Sequence, residues 1–310
     1  MSILIVGAGA TGGYLADRLT AGGRNVTVLV RERTQQRLAV HGLQIRDRGT
    51  TRNVPVRSVT RDDLRDVFDV VIVAVRSDTI ETAIADFTPA VGADTMIVPV
   101  GNGVAHVTAL RTAFGDHRVV GAAVEMATSV AADGVVDVTQ PGVRFTIGAL
   151  DGSVGIGSLV AELDVEGIDV TVVDDALTAV WRKFLFISST AVLTCLARGT
   201  IADIAADDNG AGLADQVVDE TEEVVAATSG LPSDATALRA RLRDRSWDWA
   251  PSMYRDLVAG RRAEVEVLRE MAGYARLHSI RTPLLDAAVV AIAVSNRRVS
   301  NRRVSSRPQR

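Results

Sequence analysis

Met1-Ser2-Ile3-Leu4-Ile5-Val6-Gly7-Ala8-Gly9-Ala10-Thr11-Gly12-Gly13 opens the chain, and its reading decides the fold. Residues 1–6 form an apolar run of the length of one buried strand. Gly7-Ala8-Gly9-Ala10-Thr11-Gly12 follows at once. Then come a helix-like stretch from Gly13 to Thr20, a turn at Gly22-Gly23 and a second strand from Asn25 to Val30. A lone G-x-G-x-x-G is also found in ordinary glycine-rich turns; between a strand and a helix it carries a mechanism. Gly7 permits a tight turn, Gly9 lets the backbone approach a pyrophosphate, and Gly12 lets the helix lie close on the strand. The helix N-terminus offers N–H groups and a partial positive charge to the phosphates. Residues 7–12 are therefore expected to bind a dinucleotide.

The end of the second strand bears on which dinucleotide. An acidic residue there suits the ribose 2′-hydroxyl of NAD, and an arginine suits the 2′-phosphate of NADP. Val30 stands at the acidic position, and Arg31 and Arg33 follow, so NADP(H) is favoured. Glu32 argues the other way, since a small shift of the strand end brings a carboxylate near the ribose.

Length and composition bound the rest. A chain of 310 residues is long enough for two domains with separate cores. A formal charge of −4 gives no nucleic-acid signature, and a hydrophobic fraction of 47% is that of a globular protein. One cysteine, Cys195, excludes an internal disulfide, and its apolar setting suggests core rather than nucleophile. The four histidines show no ligand spacing, so no metal site is expected. No signal peptide is read ahead of the first strand, and no apolar run is read as reaching the roughly 18 residues of a membrane helix. The expectation is a soluble cytoplasmic protein.

Strand and helix patterns alternate to about residue 173. Phe68–Val75 and Thr95–Val100 read as fully buried parallel strands. Val135–Thr139 and Val143–Gly148, separated by Gln140-Pro141-Gly142, read as a hairpin. This alternation predicts a Rossmann-type doubly wound parallel sheet over residues 1–173. From 174 to 295 helical patterns take over, beginning with a nearly all-apolar stretch, Asp174–Ala197, and an all-helical second domain is expected. Asn-Arg-Arg-Val-Ser then occurs twice in tandem, at 296–300 and 301–305, and residues 296–310 read as a disordered arginine-rich tail.

Ligands of an open parallel sheet bind at the carboxyl ends of its strands. Arg76 and Asn102 both fall there, although Gly101-Asn102-Gly103 is also plain turn chemistry. Lys183 has apolar neighbours on its helix, Ala179, Val180, Phe186 and Ile187, and either snorkels outward or becomes a proton donor whose pKa desolvation lowers. On a helix over Arg262–Ser279, Glu264 projects into the arc of Val267, Leu268, Met271, Tyr274 and Ala275. A carboxylate there needs a partner: a lysine, or an arginine in a structural ion pair. Ser252, after Pro251, is a candidate ligand or simply a helix N-cap.

These residues together resemble the ketopantoate reductases (2-dehydropantoate 2-reductases), NADPH-dependent enzymes of pantothenate biosynthesis. The resemblance extends to about residue 294. It rests on Gly7–Gly12, Asn102-Gly103, Trp181-Arg182-Lys183, and Ser252-Met253-Tyr254-Arg255-Asp256 with Glu264 eight residues on. It implies Lys183 as general acid and Glu264 beside it in the catalytic set, Glu264 and Ser252 binding substrate, and Asn102 touching cofactor and substrate. It also implies Arg31 reading the 2′-phosphate and a basic cofactor contact at Arg76. The partner implied is a small 2-keto acid; a homodimer is also envisaged. One departure matters. Family members carry asparagines four and eight residues after the lysine, and this chain has Ile187 and Ala191. That wall of the pocket becomes apolar, which leaves the identity of the 2-keto acid open. The alternatives are a sister NADP-dependent hydroxyacid or polyol-phosphate dehydrogenase, and a non-catalytic dinucleotide-binding regulator.

Overall fold

β1 (Ser2–Val6), α1 (Ala10–Ala21), β2 (Asn25–Leu29) and α2 (Glu32–His41) form the opening βαβα unit. β3 (Leu43–Asp47) and β4 (Thr50–Val54) are inserted before β5 (Arg57–Val59), and β6 (Phe68–Val73), α3 (Ile80–Phe87), β7 (Val91–Pro99) and α4 (Ala105–Phe114) follow. In this computed structural model, which describes residues 1–131, 133–150, 155–231 and 234–305, β1, β2, β5, β6 and β7 make one parallel sheet. Its order is β5-β2-β1-β6-β7, with Ile3 paired to Val26 on one side and Val70 on the other. The chain grows outward in opposite directions from β1 and β6, which makes that pair the topological switch point. Successive residues face opposite layers. Ile3, Ile5, Val70 and Ile72 join the core cluster with Leu15 and Leu19 of α1, and Leu4, Val6, Val71 and Val73 join Phe87 and Leu110 on the other side. Burial on both faces is why these strands read as unbroken apolar runs.

The first unit holds a second sheet, which the strand–helix alternation did not separate from the first. β8 (Val120–Val130), β9 (Val136–Ala149), α5 (Ile156–Leu163) and β10 (Ile168–Val172) build it with β3 and β4. β9 pairs antiparallel with β8 along one edge; on the other it pairs in parallel with β3 and β10. The hairpin expected at Gln140-Pro141-Gly142 does not form. β9 runs straight through, and its register with β8 jumps from Met126↔Val143 to Ala127↔Gln140. Pro141 has no N–H for the ladder, so it is tolerated in this bulge. Gly142 there takes φ +100 and donates its N–H to the Tyr14 hydroxyl at 3.1 Å.

The chain divides into two compact units at Val180/Trp181, inside α6 (Ala176–Ala197). The first turn of α6 packs on the second sheet: a Cβ on Gly121 would stand 2.5 Å from the Ala176 Cβ, and one on Gly148 would stand 3.0 Å from it. Asp175 starts the helix by accepting the Thr178 N–H at 3.0 Å.

The second unit contains the rest of α6 with α7 (Ile201–Ala206), α8 (Gly210–Ser229), α9 (Thr236–Leu242), α10 (Ser252–Val258), α11 (Glu266–Leu277) and α12 (Pro283–Ser305). α6 and α8 share a buried hydrogen bond between the Ser189 and Thr221 hydroxyls at 2.7 Å. Glu220 of α8 caps α12 by accepting the N–H groups of Leu284 and Leu285, each at 3.0 Å. By length and mean hydropathy α6 could cross a bilayer, contrary to the expectation from the sequence. Its most apolar window is 61% buried, as in the core helix of a folded domain.

Helix α12 corrects the reading of the tail. It continues through Ser305, and Asn296 is buried within it; residues 306–310 lie outside the described residues. Neither repeat contains Gly or Pro, so nothing local stops a helix already docked through its first half.

Candidate active site

In the first unit four groups collect along one edge of the parallel sheet. The loop 7–12 follows β1, Arg31 follows β2, Arg76 follows β6 and Asn102 follows β7. These strands are neighbours in the order β2-β1-β6-β7. The row from Arg31 to Asn102 therefore spans three strand spacings, about 14 Å.

The loop fits a dinucleotide phosphate. Gly7 takes φ +96 and donates its N–H to Leu29 O at 2.9 Å, closing the turn. A Cβ on Gly9 would meet nothing within 4 Å, so that position faces open space. Gly12 is the reverse: a Cβ there would overlap the Gly7 carbonyl oxygen and stand 3.0 Å from the Ala74 Cβ. Gly9 caps α1 without a side-chain hydrogen bond, and the first turn of α1 holds no acidic residue. Its N–H groups and positive dipole end are thus suited to an anion.

Arg31 is exposed, caps α2 in extended conformation, and makes no ion pair among the described residues. Glu32, the competing carboxylate, is the first residue of α2 and accepts the Gln36 Nε2–H at 3.3 Å along its own helix. Arg76 lies 3.6 Å from Asp78 across a short 3-10 turn. Gly103 takes φ +87, which holds Asn102 in a turn ahead of α4, and His106 of α4 packs on Gly101.

In the second unit Lys183 is half-buried on α6, between the buried side chains of Val180 and Phe184. Tyr274 of α11 lies 5.7 Å from the Trp181 ring and 6.4 Å from the Phe184 ring, centroid to centroid. These contacts fix the rotation of α6 at Lys183. Tyr274 donates to Glu270 at 3.3 Å, and burial together with that carboxylate pushes its phenol up to about 12. Further along α6, Phe186 packs on Trp249 at 5.5 Å, and Trp249 stacks on Trp247 at 4.8 Å. The Ile201 N–H donates to Trp249 O at 2.9 Å, which ties the segment before Ser252 to the start of α7. Of the two positions expected to carry asparagine, Ile187 is half-buried and Ala191 fully buried.

Two sequence expectations change here. Ser252 is not the N-cap of its helix: Pro251 is, and Ser252 is the first helical residue, exposed and not used for capping. Glu264 is not on a helix. α11 begins at Glu266, and residues 262–264 carry no helix or strand, so the helical projection that placed Glu264 in an apolar arc does not apply. The cause lies far along the chain. Asn296 of α12 accepts the Ala263 N–H at 2.9 Å, and its Nδ2–H donates to Ala263 O at 2.9 Å. Ala263 and Val265 are 0% and 2% exposed, whereas Glu264 between them is half-buried. The Val265 N–H donates to Ala263 O at 3.0 Å, which closes a tight turn around Glu264 and leaves its side chain less enclosed than those of its two neighbours.

Cys195 behaves as core. It is buried, and burial pushes its thiol up to about 12, which leaves no thiolate at neutral pH. Among the described residues no group of three or more His, Cys, Asp or Glu side chains could hold a metal. Sequence reasoning passed over Tyr274 as a contact of the lysine helix, the Trp247–Trp249 stack, and Asn296. A signal for the last was present: Leu285, Ala288, Ile292 and Asn296 form one buried stripe of α12, completed by a single polar residue.

Known proteins resemble this chain over both units. The family model described as Ketopantoate reductase PanE/ApbA matches residues 3–152, and that described as Ketopantoate reductase PanE/ApbA C terminal matches residues 175–295. An uncharacterized oxidoreductase, YkpB, of Bacillus subtilis is 27% identical over 92% of this chain and 96% of its own. A 2-dehydropantoate 2-reductase of Mesorhizobium japonicum is 26% identical over 94% of this chain and 97% of its own. Among solved structures, D-mandelate dehydrogenase in ternary complex with NADH and anilino(oxo)acetate superposes with a TM-score of 0.86. It is 19% identical and is matched over 97% of this chain and all of that one.

Proposed function

The chain belongs to the ketopantoate reductase family, oxidoreductases acting on CH–OH groups, and on that premise we propose that it reduces a 2-keto acid with NADPH, 2-dehydropantoate being the first candidate. The observation that carries the reading is Lys183, half-buried on the family's C-terminal region and fixed by the Trp181–Phe184–Tyr274 contacts. Loop 7–12 holds the pyrophosphate on the N-terminus of α1, Arg31 takes the 2′-phosphate at the β2 end, and Arg76 adds a cationic contact at the β6 end. Asn102, at the β7 end of the same row, meets the nicotinamide side and the substrate. When bound, a reduced nicotinamide supplies the hydride for the 2-keto carbon. Lys183 donates a proton to the carbonyl oxygen as the C=O bond opens, and solvent reprotonates it; charge is neutralised where it develops. Glu264 and Ser252 orient the acid, which converts a bimolecular encounter into an aligned reaction.

The cofactor preference rests on Arg31. Arg31→Ala is expected to weaken NADPH binding about tenfold or more, the value of a charge-assisted phosphate contact, and to leave NADH binding within about twofold. Titration calorimetry with both dinucleotides reads this; equal losses for both would remove Arg31 from the 2′-phosphate.

A second reading concerns the substrate alone. With Ile187 and Ala191 in place of two amides, this side of α6 offers no amide, and the hydroxyls of Thr190 and Thr194 beside them donate to the helix's own carbonyls. A site without those amides discriminates poorly for the hydroxyl of 2-dehydropantoate and favours a 2-keto acid with a larger apolar substituent. Steady-state oxidation of NADPH and NADH with ketopantoate, 2-ketoisovalerate and phenylglyoxylate separates the two. Highest kcat/KM for ketopantoate supports the first reading and for phenylglyoxylate the second, whereas no oxidation with any of them sinks both.

A further inference from the structure

Asn296 completes an otherwise apolar stripe, and a buried amide is costly unless its donor and acceptor are both met. One distant residue meets both. The two 2.9 Å bonds to the N–H and C=O of Ala263 reproduce, from a side chain, the pairing by which a neighbouring strand holds an extended residue. Two local structures compete for residues 262–265. The apolar spacing from Val265 to Ala275 supports a helix starting at Arg262, which would turn Glu264 toward Val267, Leu268 and Met271. The observed form instead leaves the Ala263 carbonyl shared between Asn296 and the Val265 N–H, the latter at 3.0 Å in a tight turn around Glu264, and starts the helix at Glu266. The clasp decides between them.

We propose that Asn296 is a positioning residue for Glu264: by holding Ala263 out of the helix it keeps α11 from starting early and sets the direction in which the Glu264 carboxylate meets the substrate. The proposal rests on the reading of Glu264 as a substrate-binding group. Asn296 touches neither substrate nor cofactor in this role; it acts through the backbone of Ala263.

The test uses the full chain, with NADPH oxidation on the best keto acid among ketopantoate, 2-ketoisovalerate and phenylglyoxylate. Asn296→Asp is nearly isosteric. It still accepts the Ala263 N–H but sets a carboxylate oxygen against the Ala263 carbonyl, so it breaks half the clasp without opening a cavity. Asn296→Asp and Asn296→Ala are each expected to raise KM about tenfold, to change kcat by less than about threefold, and to leave NADPH affinity unchanged. In a Glu264→Gln background, Asn296→Asp should add less than about twofold to KM, because both changes act through one carboxylate. A merely structural asparagine would lower kcat instead, and its effect would add in both backgrounds; that result overturns the proposal. If Glu264→Gln raises KM and Asn296→Asp does not, the proposal fails and the reading of Glu264 stands. If Glu264→Gln leaves KM unchanged, the reading of Glu264 fails and takes the proposal with it. Hydrogen exchange reads the clasp without activity: the Ala263 amide should lose protection in Asn296→Ala and keep it in Asn296→Asp. Protection retained in both variants overturns the clasp.

Discussion

Lys183→Ala is expected to lower turnover of the keto acid by about 10²- to 10⁴-fold, the usual contribution of a positioned general acid, with NADPH affinity unchanged. Folding should survive. Lys183 is half-buried rather than enclosed, and the helix beneath it is held by Phe184 and by the Trp181–Tyr274 contact, none of which the substitution touches. Lys183→Arg separates two explanations of the loss. Arginine keeps the positive charge but does not release a proton in the physiological range. If the lysine only stabilises a developing alkoxide, arginine should recover much of the activity; if it donates the proton, arginine should be nearly as poor as alanine. Single-turnover measurement of NADPH oxidation at saturating keto acid isolates the step. An alanine variant with full turnover would end the proposed mechanism.

The second large effect is a contrast between two glycines three residues apart. Gly12→Ala should damage the fold itself. Its Cβ would overlap the Gly7 carbonyl oxygen, and the backbone shift that relieves this costs about 1–3 kcal/mol, visible as a lower melting temperature of the protein without ligand. Gly9→Ala should leave that temperature nearly unchanged, because its Cβ enters open space and its φ of −81 is ordinary for alanine. The same methyl then stands where a pyrophosphate needs the bare backbone. NADPH affinity should fall by roughly tenfold to a hundredfold, about 1.4 to 2.8 kcal/mol. Differential scanning fluorimetry with and without NADPH distinguishes the two variants in one experiment. A Gly9→Ala protein that binds NADPH as tightly as the parent would show that the open space beside Gly9 is not the phosphate site.

Much of this architecture is written in short-range pattern. The glycine loop, the apolar runs of β1, β6 and β7 and the helical texture after residue 174 are local signals, and each names its element because burial on both faces, or on one face of a helix, dictates composition. The loop announces the dinucleotide, and Lys183 stands out because a charge within an apolar stretch needs a reason. Glu264 drew attention on the same ground, but from a helix that does not extend that far.

What failed to show was decided by partners distant in sequence. Pro141-Gly142 has the composition of a turn and becomes a bulge because β8 and Tyr14 are present to hold β9 straight. The alternating strands after β2 divide into two sheets because β9 offers two free edges, a property of no single segment. The sequence by itself determined the parallel sheet, the glycine turn between β1 and α1, and the helical second unit. Only the tertiary structure decided where α11 begins and that Glu264 stands in a turn ahead of it. A side chain 33 residues away supplies both hydrogen bonds that hold Ala263 out of the helix, and a periodicity of two or 3.6 residues carries no record of a bond over that distance.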